Sequence, residues 1–154
     1  MSELTLENVL KIALSMEEQS IEIYTSAQSK VLGPSSKVLL KELVEEEEGH
    51  KNKILEAMRD PKKVKEIGSL ETRIHDLKIV DFLKDVSLSP DADYQQILIY
   101  AGKREKETHD FYMELAKKYR EKQIGKMFAK LAQEELNHKY RLEQEYDDVI
   151  LKYM

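Results

Sequence analysis

Two Glu-x-x-His motifs are the residues in this sequence whose types and spacing predict chemistry. Glu47 and His50 lie in the stretch VEEEEGHK, and Glu135 and His138 lie in QEELNHK. On a helix, residues three apart project from the same face, so each motif presents a carboxylate beside an imidazole. These groups are the oxygen and nitrogen ligands that iron, manganese and zinc accept in proteins. Each motif is therefore a candidate half of a metal site.

The two motifs belong to an internal repeat. MEEQSIEIY aligns with REKETHDFY, which pairs Glu17 with Glu105 and Tyr24 with Tyr112, at an offset of 105 − 17 = 88 residues. The same offset relates the two Glu-x-x-His motifs, since 135 − 47 = 88. One offset shared by all of these pairs is hard to obtain by chance, even in a chain rich in glutamate. The repeat therefore predicts two similar halves that contribute equivalent residues to one site.

The polar residues of the repeat fall on apolar helix faces. In the second predicted helix the inward stripe contains Leu43, Glu47, His50 and Ile54, and the other glutamates of the EEEE run are expected to form a solvated face. Burying four carboxylates together is strongly unfavourable unless cations lie among them. Two divalent ions would cancel the four negative charges, and neutral histidines would complete the coordination. We therefore predict a dinuclear metal site with the ligands Glu17, Glu47, His50, Glu105, Glu135 and His138.

The helix register leaves neighbouring glutamates as alternatives. Glu18 lies beside the ligand predicted on the first helix, and Glu107 lies close to the ligand predicted on the third. A small rotation of either helix would exchange the inward residue for its neighbour. The assignment of Glu17 and Glu105 therefore depends on the register.

The remaining aromatic and histidine residues have less specific interpretations. Tyr24 and Tyr112 are interpreted either as core aromatics or as hydrogen-bond donors to ligand carboxylates. His75 and His109 have no partner in the repeat. We interpret both as ordinary helix or surface histidines.

Three prolines, at positions 34, 61 and 90, divide the chain into helical segments. The apolar spacing predicts long helices over about 4–31, 35–59, 90–119 and 121–153. Residues 61–88 are too long for a turn, and LKIVDFLKD within them predicts a short helix. Two hairpins joined by one long crossover is the connectivity of ferritin-like bundles. The predicted fold is all-α: a ferritin-like four-helix bundle in a single domain, residues 1–154, with helical hairpins at 4–60 and 90–153 and a crossover at 61–89.

Composition excludes several classes of protein. The 154 residues contain no cysteine, which rules out disulfides, thiolate-bound zinc and iron–sulfur clusters. The net charge of −5, without a basic patch, argues against a nucleic-acid partner. No apolar run reaches the roughly 20 residues that cross a bilayer, and MSELTLENVLKIAL lacks the basic region of a signal peptide. We expect a cytoplasmic protein without a membrane partner.

Over essentially its whole length the chain resembles the rubrerythrin group of the ferritin-like superfamily. The stretches that carry this resemblance are MEEQSIEIY, EEEEGHK, REKETHDFY and QEELNHK. The resemblance implies a centre of two iron ions, and it implies reduction of hydrogen peroxide to water at the diferrous site, which protects against oxidative stress. The residues that it implies as iron ligands are Glu17, Glu47, His50, Glu105, Glu135 and His138.

The chain departs from the rubrerythrin pattern in two places. Rubrerythrins proper carry a rubredoxin-type domain with four cysteines that delivers electrons, whereas this chain has no cysteine. We therefore expect an external electron-donor protein. Rubrerythrins also use an additional glutamate three residues after the third-helix ligand, where this chain has Thr108. The sequence leaves open whether Thr108 or His109 takes the place of that glutamate.

Three functions fit a dinuclear carboxylate site. The first is a di-iron oxidoreductase that acts on peroxide or dioxygen. The second is iron handling, with ferroxidase chemistry and storage of iron in a hollow oligomer. The third is a structural metal-binding bundle, and manganese in place of iron would give catalase-like chemistry. We expect two iron ions, with manganese or zinc as alternatives, and a homodimer or a larger homo-oligomer.

Overall fold

The computed structural model describes residues 5–31, 33–59 and 88–153. This part of the chain forms four long helices: α1 (Leu6–Ala27), α2 (Pro34–Arg59), α3 (Tyr94–Lys118) and α4 (Gln123–Glu145). A π-helical turn (Tyr146–Ile150) and a 3₁₀ turn (Leu151–Tyr153) follow α4. The predicted short helix LKIVDFLKD, His75 and the crossover as far as residue 87 lie outside the described residues. The four predicted long helices are thus all present.

Side chains cap the starts of two of the four long helices, α1 and α3. Thr5 accepts a hydrogen bond from the backbone N–H of Asn8 at 3.1 Å and so caps α1. The predicted start of α3 near Pro90 is wrong, because Asp93 and Gln96 form a reciprocal capping box that places the first helical residue at Tyr94. The boundary is therefore set by the side chain that satisfies the first free N–H groups rather than by the proline.

The last residues of the fourth predicted helix, whose C-terminal end is expected to fray, do not form regular α-helix. Regular α-helix ends at Glu145, and the chain continues as the wider π turn. Tyr94 donates a hydrogen bond to Glu145, and Gln95 donates to the Tyr146 hydroxyl at 3.0 Å. These two bonds hold consecutive residues of the chain against the first turn of α3, at the point where the α-helix changes to the π turn.

The helices pair into two hairpins that face each other. α1 packs mainly along α2 and α3 along α4, while α1 meets α3 and α2 meets α4 across the bundle. Each helix buries one stripe and exposes the other, as expected for an amphipathic helix in a bundle. In the described ranges, none of the helices is apolar enough over a sufficient length to span a bilayer. The fold is the predicted all-α bundle of ferritin-like architecture.

Two apolar clusters lie at opposite ends of the bundle interior. One contains Leu10, Tyr112 and Phe128 among its buried side chains. The other contains Leu40 and Leu98. The buried glutamates and histidines occupy the helix turns between these clusters, so apolar walls close both ends of the polar layer. This arrangement restricts the access of water to that layer.

Candidate metal centre

All six predicted ligands point into the bundle. Their side chains are at most 2% exposed: Glu17, Glu47, His50, Glu105, Glu135 and His138. The alternatives Glu18 and Glu107 are exposed, so the helix register buries Glu17 and Glu105 instead. Glu45, Glu46 and Glu48 are exposed too, which confirms a solvated face for three glutamates of the EEEE run.

The six residues form two overlapping groups of potential metal ligands. One group consists of Glu17, Glu47, His50 and Glu135, and the other consists of Glu47, Glu105, Glu135 and His138. Within each group, one oxygen or nitrogen atom from every residue lies within 4.8 Å of the others. The two glutamates of the Glu-x-x-His motifs belong to both groups. Each half of the repeat therefore contributes one shared carboxylate and one imidazole on one helix, and one unshared carboxylate on the other.

Both imidazoles turn the same nitrogen toward the centre. His50 Nδ1 lies 2.7 Å from Glu135 Oε1 and 3.1 Å from Glu47 Oε1. His138 Nδ1 lies 3.2 Å from Glu47 Oε1 and 3.7 Å from Glu105 Oε1. The rings are stacked with their centroids 5.7 Å apart. Each ring thus directs Nδ1 at the shared carboxylates and Nε2 away from them.

Many polar atoms of this layer are buried without a hydrogen-bond partner among the described residues. They include both oxygens of Glu47, one oxygen each of Glu17, Glu105 and Glu135, and both ring nitrogens of His138. Buried polar atoms in native proteins are almost always paired, because an unsatisfied group costs about 1–3 kcal/mol. Apart from His138 Nε2, which points away from the shared carboxylates, these unpaired atoms converge on the interior, and metal ions would satisfy them together. The donor set therefore fits a metal centre.

Burial disfavours ionisation of two carboxyl groups of the cluster, those of Glu17 and Glu135. Burial raises the pKa of Glu17 to about 7, and the nearby charge of Glu47 acts in the same direction. Burial also raises the pKa of Glu135 well above its usual range, with a further contribution from Glu105. In the metal-free protein the cluster thus retains protons that a cation would displace.

The neighbouring carboxylates raise the pKa values of both imidazoles, against the effect of burial. Burial disfavours the charged form of His50, but hydrogen bonds and charges from Glu17 and Glu47 outweigh it and raise the pKa to about 11. For His138, burial is likewise outweighed by Glu105 and Glu47, and the pKa rises to about 10. Burial alone would raise the pKa of Glu47, but the adjacent imidazoles of His138 and His50 outweigh it and hold that pKa below its ordinary value. Without metal, protonated imidazoles take the place of the cations.

Two tyrosines connect the hairpins at the unshared carboxylates. Tyr112 donates a hydrogen bond to Glu17 Oε1 at 2.6 Å, and Tyr24 donates to Glu105 Oε1. Each bond runs between α1 and α3, so each tyrosine serves the carboxylate of the other half of the repeat. Burial, together with the neighbouring carboxylates, raises the pKa of both hydroxyls well above the usual value. Both interpretations of these tyrosines hold, since they are fully buried aromatics and hydrogen-bond donors.

Sequence reasoning missed two carboxylates at the outer edges of the imidazoles. Glu134 Oε2 lies 2.5 Å from His50 Nε2, and Glu46 Oε2 lies 3.5 Å from His138 Nε2. Both glutamates directly precede a Glu-x-x-His motif, and 134 − 46 = 88 is the offset of the repeat. That offset was the available signal, but partial exposure makes both residues look like ordinary surface glutamates.

Neither Thr108 nor His109 takes the place of the additional rubrerythrin glutamate in this geometry. Thr108 Oγ1 donates a hydrogen bond to the carbonyl oxygen of Arg104 at 2.8 Å, within its own helix. His109 Nδ1 donates a hydrogen bond to the carbonyl oxygen of Ala132 at 2.8 Å. His109 belongs to neither of the two ligand groups.

The family comparison agrees with the arrangement of these residues. The sequence model of the rubrerythrin family matches residues 8–146, a range that includes all six predicted ligands and all four long helices except the first residues of α1. No curated protein and no solved structure matches the chain. The family match suggests a di-iron site, and the buried glutamate–histidine cluster is able to bind metal. The chain belongs to the rubrerythrin family.

Proposed function

We propose that this protein is a di-iron oxidoreductase that reduces hydrogen peroxide. One iron would be held by Glu17 and His50 and the other by Glu105 and His138, and Glu47 and Glu135 would serve both. The observation that carries this proposal is the overlap of the two ligand groups at two shared carboxylates. Such sharing is typical of dinuclear sites rather than of two separate ions.

The chemistry of the donor set favours iron or manganese over a thiophilic metal. The cluster offers carboxylate oxygens and imidazole nitrogens, and the chain has no cysteine. When bound, a ferrous pair supplies two electrons, one from each ion, which is the number that one peroxide O–O bond requires. Peroxide, two electrons and two protons then give two molecules of water. A reductant must restore the ferrous state, and we propose an external electron-donor protein for that role.

The protein's own residues prepare the site for this reaction. Tyr112 and Tyr24 hold Glu17 and Glu105 in place through hydrogen bonds that survive at any physiological pH, because the raised tyrosine pKa values keep the hydroxyls protonated. The apolar clusters on either side keep bulk water away from the carboxylates. Exclusion of water strengthens the attraction between the carboxylates and cations, and it limits side reactions.

The proposal is tested by loading the metal-free protein anaerobically with two ferrous ions per chain and mixing it with hydrogen peroxide in a stopped-flow spectrometer. We expect ferrous oxidation much faster than that of free ferrous ion, with one peroxide consumed per two irons. Glu47→Gln should slow the reaction strongly, because Glu47 belongs to both ligand groups. Glu45→Gln, at an exposed position two residues away, is the matched control and should have no effect. Oxidation no faster than in free solution would refute peroxide reduction.

The same preparation distinguishes peroxide reduction from the two alternative functions. Iron storage predicts uptake of many irons per chain in a large hollow oligomer, which size-exclusion chromatography and iron analysis would detect. A purely structural metal site predicts bound metal without any peroxide-dependent oxidation. Saturation at two irons per chain, followed by rapid oxidation, supports the oxidoreductase.

A further inference from the structure

The outer nitrogens of the two histidines are held differently. His50 Nε2 lies 2.5 Å from Glu134 Oε2, which is a hydrogen-bond distance. For His138 Nε2 the corresponding distance, to Glu46 Oε2, is 3.5 Å. In the described part of the chain His138 Nε2 has no hydrogen-bond partner. The two halves of the repeat thus supply equivalent glutamates, but only one of them reaches its imidazole.

Arg141 accounts for this difference. Its Nη1 atom donates a hydrogen bond to Glu46 Oε2 at 2.8 Å, and its Nη2 atom donates to Glu42. The oxygen that Arg141 holds is the one closest to His138. A guanidinium bonded to two carboxylates is a planar, well-ordered partner. Arg141 therefore competes with His138 for Glu46.

The half of the site that contains Glu134 and His50 has no equivalent of the Arg141–Glu42 pair. The residue equivalent to Arg141 is Lys53, since 141 − 88 = 53, and the residue equivalent to Glu42 is Lys130, since 42 + 88 = 130. Two lysines cannot form the bridge that an arginine and a glutamate form. Within residues 5–31, 33–59 and 88–153, no lysine or arginine lies within ion-pair distance of Glu134. Glu134 is therefore available to His50.

We infer that Glu134 and Arg141 make the two metal positions unequal, so that the position with Glu17 and His50 binds its ion more tightly and fills first. This inference rests on the proposed dinuclear site. A carboxylate that accepts a hydrogen bond from the outer Nε2–H fixes the tautomer that leaves the Nδ1 lone pair for the metal, and it makes Nδ1 a stronger ligand. His50 has such a partner, and His138 does not. Glu134 is a positioning residue, because it acts through His50.

The test uses Zn²⁺, a redox-silent probe, added to the metal-free full chain and followed by calorimetry and by the ¹⁵N resonances of the histidine rings. We expect two binding steps, the first of which shifts the Nδ1 resonance of His50 and the second that of His138. Glu134→Gln should weaken the first step by about 10- to 100-fold. Glu46→Gln, at the equivalent position of the repeat, should change the second step much less. Arg141→Gln should release Glu46 to His138 and strengthen the second step.

The outcomes separate this inference from the proposed function. Two indistinguishable steps in the unaltered protein, or equal losses in the Glu134 and Glu46 variants, would overturn the inequality and leave the metal site intact. Absence of any Zn²⁺ binding would remove the dinuclear site itself. The substituted side chains are partly exposed, at 31% for Glu134 and 34% for Arg141, so we expect normal folding. Glu134→Asp, which keeps the charge, should recover part of the affinity that Glu134→Gln loses.

Discussion

Removal of the Tyr112 hydroxyl offers a direct test of how the site is organised without metal. Tyr112 Oη donates to Glu17 Oε1 at 2.6 Å, and both side chains are fully buried. The other oxygen of Glu17 already lacks a hydrogen-bond partner among the described residues. Tyr112→Phe keeps the ring and its packing, so it changes little besides this hydrogen bond.

The expected loss of stability follows from the charge of the acceptor. The pKa of Glu17 is raised to about 7, so at pH 8 most of the carboxyl is ionised. A hydrogen bond to a charged group contributes about 1.5–3 kcal/mol, compared with about 1 kcal/mol between neutral groups. We therefore expect Tyr112→Phe to lower the free energy of unfolding of the metal-free protein by about 1.5–3 kcal/mol at pH 8. The loss should be smaller at pH 5.5, where the carboxyl is protonated.

Urea denaturation in the presence of a chelator measures this loss, and the chain provides a matched control. At a typical slope of about 2 kcal/mol per molar urea, the midpoint should fall by about 1 M. Tyr119 is also a buried tyrosine, but its hydroxyl has no partner among the described residues. Tyr119→Phe removes an unsatisfied polar group, so it should leave stability unchanged or increase it. If the two variants lose the same stability, or if the loss is independent of pH, the reasoning about Tyr112 is wrong.

Three further predictions follow from the charges and the packing. The raised pKa values of His50 and His138, about 11 and about 10, mean that metal must displace their protons. Calorimetry at pH 7 in buffers of different ionisation enthalpy should show release of at least two protons per chain, one from each imidazole, with a further contribution from the carboxyl groups of Glu17 and Glu135. No release would contradict the protonated imidazoles. Because the pKa values of both histidines are higher in the folded state, protonation of the imidazoles stabilises the metal-free fold. This stabilisation is complete below the unfolded-state pKa of about 6.5, and it is lost as the pH rises through the folded-state values of about 10 and about 11. Thermal unfolding without metal should therefore show a melting temperature that falls progressively above about pH 7, and a flat profile up to pH 11 would argue against it. Gly125→Ala should destabilise the fold, because an added Cβ would lie 2.0 Å from the Tyr119 carbonyl oxygen. Gly102→Ala should instead stabilise the protein by about 0.5–1 kcal/mol, because an added Cβ there would have no atom within 4 Å and alanine favours the helix. Urea titration of both variants checks the difference.

Helical periodicity explains why most of the candidate site was predictable. The stripe that contains Leu43, Glu47, His50 and Ile54 is buried as predicted, and its position follows from the 3.6-residue turn alone. The offset of 88 residues extended the same reasoning to α4, where Glu135 is buried too. The match to the rubrerythrin family and the bundle fold confirm the resemblance seen in the sequence.

Helix boundaries were less predictable, because they depend on single side chains. Pro90 predicted the start of α3, but the capping box of Asp93 and Gln96 places it later. Hydrogen bonds from α3 to Glu145 and Tyr146 accompany the change from α-helix to π turn at the end of α4. Patterns of apolar residues do not report such contacts, since they average over several turns.

The sequence by itself determined which residues enter the polar layer, because a helix places residues on its faces according to local spacing. Only the tertiary structure decided which residue meets which across the bundle. Tyr24 donates a hydrogen bond to Glu105, although Glu17 is closer to it in sequence. Glu46 accepts a hydrogen bond from Arg141 and not from His138. Such pairings depend on how far one helix is shifted and rotated against the next, and this relation is set by the packing of the whole core. Two halves with nearly the same ligand pattern can therefore give metal positions with different surroundings.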